Sequence, residues 1–248
     1  MNLGKLKNSD SHWVSFSDIM TGLMVIFMFI AISYLLEVQR REKEINEIIE
    51  NYKITQQKLY NELDDTFTER FKDYNLKVNP DLSIQITDAN ALFPVQFWDS
   101  EVKLTKSFIE FLDEFTPLFY SIVLKEEYID DISEIRIEGH TAIQSAEKEF
   151  DKNYYQKMLI LSQKRSNKVL ETMMNSSFFN KLNDDYKAYL RYITTSNGLA
   201  FGKALDKDGN FKFLTGESIN INNSMRVEFR IVTNNQKVID DWIKTSNE

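Results

Sequence analysis

The sequence predicts an α/β protein on a membrane anchor: a single N-terminal transmembrane helix, a helical stalk and a C-terminal α/β sandwich. Three observations predict it. An almost unbroken apolar run extends from Trp13 to Leu36. No Gly or Pro occurs between Gly22 and Pro80, where apolar residues recur at helical spacing. Beyond Asn79, short alternating segments are separated by helical ones.

The apolar run of about 24 residues, at 1.5 Å rise per residue, spans roughly 36 Å and covers a hydrocarbon core about 30 Å thick. A cleavable signal peptide would have a shorter apolar core, a basic start and small residues at its end. This run ends Tyr34-Leu35-Leu36-Glu37, so it reads as a retained anchor. His12 and Trp13 at one end and Tyr34 at the other are placed as interfacial residues. Lys5 and Lys7 precede the run and Arg40, Arg41 and Lys43 follow it, so the basic residues do not decide its orientation.

Past the anchor, Ile45, Ile48, Ile49, Tyr52, Leu59, Leu63, Phe67 and Phe71 form a stripe mostly three or four residues apart. A helix from Glu37 to about Lys72 would be roughly 54 Å long. Its narrow seam suits pairing of two chains, or packing of part of the stripe on the chain's own domain. The expected organisation is a leader over 1–12, a transmembrane helix over 13–36, a stalk over 37–75 and a head over 76–248.

Within the head, Leu82 to Thr87 alternates as a strand, and Val102 to Lys125 is mostly helical. Ile132 to Glu138 alternates again before Gly139. A helix is expected from about Tyr154 to Met174, and strands over Leu190 to Thr194 and Met225 to Val232. Gly198, Gly202, Gly209 and Gly216 mark the loop between those last two. Strands joined by helical crossovers imply a sheet with helices on one face, in a domain of about 150 residues, enough for an independent core.

Composition narrows the function. The chain has 248 residues, 42% of them hydrophobic, and a formal net charge of -8, which argues against a nucleic-acid binder because phosphate affinity rests on clustered Lys and Arg. With Cys 0 there is neither a disulfide framework nor thiolate chemistry, and His12 and His140 are too few and scattered to signal a zinc site. No Gly-rich phosphate loop or positioned His-acid-Ser set is visible, so an enzyme is not expected. No cofactor or metal is expected either.

One residue resists the apolar pattern. On a helix, Ser15, Gly22, Val25 and Ser33 fall within about 60° of Asp18, on the smaller and more polar side. That side calls for a protein neighbour. Intramembrane acids face a bundle interior or water and mark ion paths, although Asp18 lies roughly 7 to 8 Å from the start of the run, where a capping or snorkelling acid is the alternative. Protonating an aspartate of ordinary pKa about 3.9 at pH 7 costs about 4 kcal/mol, and leaving it charged in a membrane interior costs about 2.5 to 3.5 kcal/mol or more. The two states are nearly balanced. A potential of about 150 mV does roughly 3.5 kcal/mol of work per charge, enough to drive such a group between them.

The stretch Trp13-Val14-Ser15-Phe16-Ser17-Asp18-Ile19-Met20-Thr21-Gly22-Leu23-Met24 resembles the transmembrane signature of MotB-type stator subunits. That resemblance implies that Asp18 binds the translocated ion. The nearby hydroxyls of Ser15, Ser17 and Thr21 are candidate oxygen groups along its path and suit either H⁺ or Na⁺, with H⁺ slightly preferred. Further on, Ala91-Leu92-Phe93-Pro94, Ile137-Glu138-Gly139-His140-Thr141, Leu161-Ser162-Gln163-Lys164-Arg165 and Arg226-Val227-Glu228-Phe229 follow the order of motifs in OmpA-like peptidoglycan-binding domains. The implied head is therefore an OmpA-like α/β sandwich, with Thr141, Leu161, Ser162 and Arg165 at the peptidoglycan site. Arg165 would clamp a carboxylate through two parallel N–H donors. The sequence departs from that pattern at Ala142, where an acid is usual, at Met158 in place of Asn, and at Ser224 and Met225 in place of Asn and Arg.

The segment from Asp18 to Ala31 is similar to the B subunit of the Zorya anti-phage system. The resemblance implies a homodimer within a pentameric MotA-like A subunit, in contact with membrane lipid. Its leader would be cytoplasmic and its head periplasmic, docked on peptidoglycan at the cell inner membrane. Ion flow past Asp18 would turn the ring of A subunits. A flagellar MotB-type stator subunit and a passive cell-wall tether are the alternatives.

Overall fold

The computed structural model describes residues 10–87, 92–94, 101–143 and 148–234, with only the backbone at 10–12, 14 and 15. Two units divide the chain, Met1–Asn51 and Tyr52–Glu248.

The first unit is helical from Asp10 onward, part of helix α1 (Asp10–Phe67). It carries a surface long and apolar enough to cross a membrane. Trp13, Met24, Phe27, Phe29 and Leu36 are all exposed, Met24 by 72%. Past Leu36 the side chains become charged and pair along the helix, Arg41 Nε donating to Glu37 at 3.0 Å and Arg40 Nη2 to the same carboxylate at 3.1 Å. Ile45 and Ile49 are half-buried and Ile48 is exposed. The expected interfacial His12 and basic Lys5 and Lys7 lie outside the described side chains.

The second unit is an α/β domain built on one sheet. Its strands are β1 (Leu76–Val78), β2 (Ser83–Ile86), β3 (Ile132–Gly139), β4 (Thr194–Gly198) and β5 (Val227–Thr233), in the order β1-β2-β5-β3-β4. Only β3 and β4 pair in parallel; the β1-β2, β2-β5 and β5-β3 pairs are antiparallel. Period-two alternation gives the sheet two faces. Ile84, Ile86, Ile135, Ile137, Val227, Phe229 and Ile231 are buried in the core. Glu134, Arg136, Glu138, Glu228 and Arg230 alternate with them.

Helix α2 (Lys106–Val123) covers the apolar face. Thr105 caps it, its Oγ1 accepting from Phe108 N at 3.2 Å, and Phe108, Phe111, Leu112, Phe115, Phe119 and Ile122 follow at helical spacing, all buried. Phe115 centres the aromatic core, 4.9 Å from Phe67 and 4.8 Å from Phe229 between ring centroids. The end of α1 thus belongs to this core: Leu59, Leu63 and Phe67 are buried, as is Phe71 beyond it. Polar contacts add to the attachment, with Gln56 Nε2 donating to Pro80 O at 2.9 Å and Tyr128 OH to Glu62 at 3.0 Å. The stripe therefore divides, its later residues packing on their own domain. The helix ends at Phe67, short of Lys72, where the chain turns into a single 3-10 turn at Lys72–Tyr74.

Helix α3 (Lys152–Met174) is capped by Asp151, which accepts from Asn153 N and Tyr154 N. Two short helices, α4 (Ser177–Lys181) and α5 (Asp184–Ile193), lead into β4. The sequence predicts a strand over Leu190 to Thr194, but Asn183 caps a helix by accepting from Tyr186 N at 2.8 Å, and Leu190 and Ile193, three apart, both turn inward. Strand structure begins only at Thr194. Beyond it, α6 (Lys212–Thr215) and α7 (Ile221–Ser224) interrupt the expected loop.

Two glycines let α3 lie against the ends of β3 and β4. A Cβ on Gly139 would sit 2.3 Å from Ser162 O, and one on Gly198 would sit 2.4 Å from Gln163 N. Backbone must move to admit either. Gly198→Ala is expected to destabilise the head by about 1–3 kcal/mol, seen as a lower denaturant midpoint with an unchanged slope. An unchanged midpoint would mean the helix is free to lift.

Candidate functional site

In the first unit, Asp18 is exposed on an apolar helix surface. Thr21 Oγ1 donates to Ser17 O one turn earlier, at 2.8 Å, which fixes the hydroxyl and leaves its lone pairs outward. Ser17 and Thr21 lie one residue before and three after Asp18. Ser15 is helical, its side chain outside the described residues.

In the second unit, the four residues assigned to wall binding divide into two kinds. Leu161 and Ser162 are inside the fold. Ser162 Oγ donates to Leu159 O at 2.9 Å and accepts from Ala200 N at 3.0 Å, so its hydroxyl is committed to holding the 199–206 loop on α3. Ala200 O in turn accepts from Thr141 N at 2.8 Å. Ala200 thereby ties Ser162 to Thr141, in a left-handed conformation (φ 47) that alanine adopts at a cost of about 1–2 kcal/mol.

Thr141 and Arg165 are the two with spare capacity. Thr141 Oγ1 and Arg165 Nε are buried with no hydrogen-bond partner among the described residues. The Arg165 guanidinium lies 4.8 Å from the Phe93 ring centroid, a cation–π contact. Burial brings its pKa down to about 10, which leaves it fully charged at pH 7. A half-buried, stacked cation with an unused donor is suited to a carboxylate ligand. Of the first wall motif, Ala91 lies outside the described residues, whereas Phe93 is the stacking platform.

Behind Thr141 is a buried ionic cluster. Glu138 and Glu228 face each other across β3 and β5, with His140 just past the end of β3. Arg226 Nε donates to Glu228 Oε2 at 3.1 Å, and its Nη1 donates to Lys203 O at 3.2 Å. Arg230 pairs with Glu228 and, at 2.6 Å, with Asp81. Burial of His140 holds its pKa below the ordinary value, so the ring is neutral at pH 7. For Glu138 burial works the other way, but His140, Lys203 and Arg230 more than offset it and keep the carboxylate ionised.

The chain is 30% identical over 234 residues to the Zorya protein ZorB of Escherichia coli, an alignment covering 94% of this chain and 92% of that protein. It belongs to the ZorB family. No protein-family model matches it. Among solved structures, this ZorB-family chain is similar to the cell wall anchor of the T6SS from Pseudomonas aeruginosa, at 13% identity over 69% of this chain and 96% of that one, with a TM-score of 0.43. It is also similar to the periplasmic domain of Helicobacter pylori MotB, at 13% identity over 69% and 97%, with a TM-score of 0.40.

Two features of this ZorB-family head escape motif reading. Phe93 is visible in the sequence, but its place under Arg165 is set by tertiary packing. The Glu138–Glu228 juxtaposition depends on strand register, which alternating charges in Ser133 to Glu138 and Arg226 to Arg230 suggest but do not fix.

Proposed function

We propose that this ZorB-family chain is the ion-conducting, peptidoglycan-anchored B subunit of a membrane rotary motor driven by the ion motive force and working in anti-phage defence. The observation that carries the reading is an acid, Asp18, exposed on an apolar membrane-length helix in a chain whose family is named for Zorya. An ionisable group on such a surface needs a protein or water neighbour, which a second copy and a MotA-like ring of five A subunits would supply. Asp18 carries the ion, H⁺ rather than Na⁺, and Ser15, Ser17 and Thr21 border its path. The helix crosses the inner membrane once, leader in the cytoplasm and head in the periplasm.

At the wall, Arg165 binds a peptide carboxylate, Thr141 offers its unpartnered hydroxyl, Ser162 holds the backbone of Ala200, and Leu161 packs inside the fold. Ala142 offers no charge there for a ligand ammonium group. A charge-assisted hydrogen bond contributes about 1.5–3 kcal/mol, so Arg165→Ala is expected to weaken sedimentation of the full chain with purified peptidoglycan about ten-fold or more. The same variant should retain its membrane complex.

Co-expression with a MotA-like A subunit tests the whole reading. Co-purification of a mixed complex, together with phage protection that requires both genes, is the expected result. A chain that protects without any partner would be a passive tether, and one that joins a flagellar partner would be a different motor.

A further inference from the structure

We propose that Glu138, His140 and Glu228 form a divalent metal site in the head, one ion per chain, of the mixed imidazole and carboxylate type that zinc favours. The candidate ligand atoms all lie within 4.8 Å of one another. His140 Nε2 is 3.5 Å from Glu228 Oε2 and 3.7 Å from Glu138 Oε2. Both distances exceed the 2.7 to 3.2 Å of direct N–H···O bonds. They come close to the edge of a tetrahedron around a zinc ion, about 3.4 Å when each ligand lies about 2.1 Å from the metal. A bridging water, at about 2.8 Å from each partner, would spread them to about 4.6 Å.

A second observation is independent of that spacing. His140 Nδ1, His140 Nε2 and Glu138 Oε2 are buried with no hydrogen-bond partner among the described residues, in side chains 1% and 4% exposed. Leaving such groups unpaired is costly, and coordination would relieve that cost.

The surrounding cations decide how such an ion fits. Arg230 engages the outer oxygens, Oε1 of Glu228 and, at 3.7 Å, Oε1 of Glu138, and Asp81 holds it from the other side. That leaves the Oε2 atoms turned toward the imidazole, the orienting role outer groups take at metal centres. Arg226 shares Glu228 Oε2, which lowers affinity. Lys203 Nζ lies 3.8 Å from Glu138 Oε2, and its side chain is 43% exposed. Arg226, Arg230 and Lys203 already balance Glu138, Glu228 and Asp81. A divalent ion therefore displaces Lys203, whose ammonium group moves into water, and the cluster is left with one net positive charge.

The full chain in detergent, stripped with a chelator and titrated with Co²⁺, tests this. One equivalent should bind with the visible ligand-field bands of a tetrahedral ion, and Zn²⁺ should displace it. His140→Gln should abolish the bands. Lys203→Ala, a half-exposed position whose loss leaves the fold intact, should bind Co²⁺ at least several-fold more tightly. Absence of bands in the wild-type chain, bands that persist in His140→Gln, bands lost only with His12→Gln, or Lys203→Ala binding no tighter than wild type would each overturn the site.

Discussion

Asp18→Asn is expected to abolish phage protection while leaving the membrane complex assembled. The amide matches the protonated acid in size and polarity but cannot exchange a proton. The energetic margin explains the severity. Protonating a carboxyl at pH 7 costs about 4 kcal/mol and burying its charge in a membrane costs about 2.5 to 3.5 kcal/mol, so roughly 3.5 kcal/mol from a membrane potential of about 150 mV can drive either form. Asparagine offers no second state for the field to select. Asp18→Glu restores the exchange with a carboxylate one methylene further out and should recover part of the protection. Full protection with Asp18→Asn would show that the acid carries no ion. Loss of assembly in the same variant would assign it a packing role.

The second large effect lies in the head. Phe67→Ala removes a fully buried ring that packs against Phe115 at 4.9 Å and Phe71 at 6.0 Å. Truncations of this kind cost about 3–5 kcal/mol, a large share of the roughly 5–15 kcal/mol that stabilises a domain. The head's denaturant midpoint should fall accordingly, and backbone amides near Phe115 and Phe229 should exchange faster. Ile48→Ala, on the same helix at a residue 40% exposed, should change the stability read from that midpoint by less than about 0.5 kcal/mol. Equal effects at the two positions would contradict the division of the stripe.

That stripe also shows how far pattern carries. Ile45, Ile48, Leu59, Leu63 and Phe67 have similar spacing, and spacing alone gave a helix. That Leu59, Leu63 and Phe67 belong to the head's core is set by tertiary packing, which spacing does not show. The alternation of β3 and β5 and the aromatic periodicity of α2 were legible because each buries one continuous face. β4 was not. Thr194-Thr195-Ser196-Asn197-Gly198 has no apolar alternation, and its place at the sheet edge depends on Gln163, whose Oε1 accepts from Gly198 N at 2.7 Å while its Nε2 donates to Ser196 O at 3.1 Å. β1, three residues long, is too short to carry a period. At the proposed wall site, the choice of Arg165 rests on its motif. The Phe93 ring beneath it and the committed hydroxyl of Ser162 follow only from how loops and helix meet.

The burial of Leu59, Leu63, Phe67 and Phe71 has a practical meaning for anyone isolating the head. A soluble fragment begun at residue 76 would strip four large side chains from its own interior and expose a greasy trough along α2. Starting near Tyr52 keeps those side chains, at the modest cost of a frayed first turn.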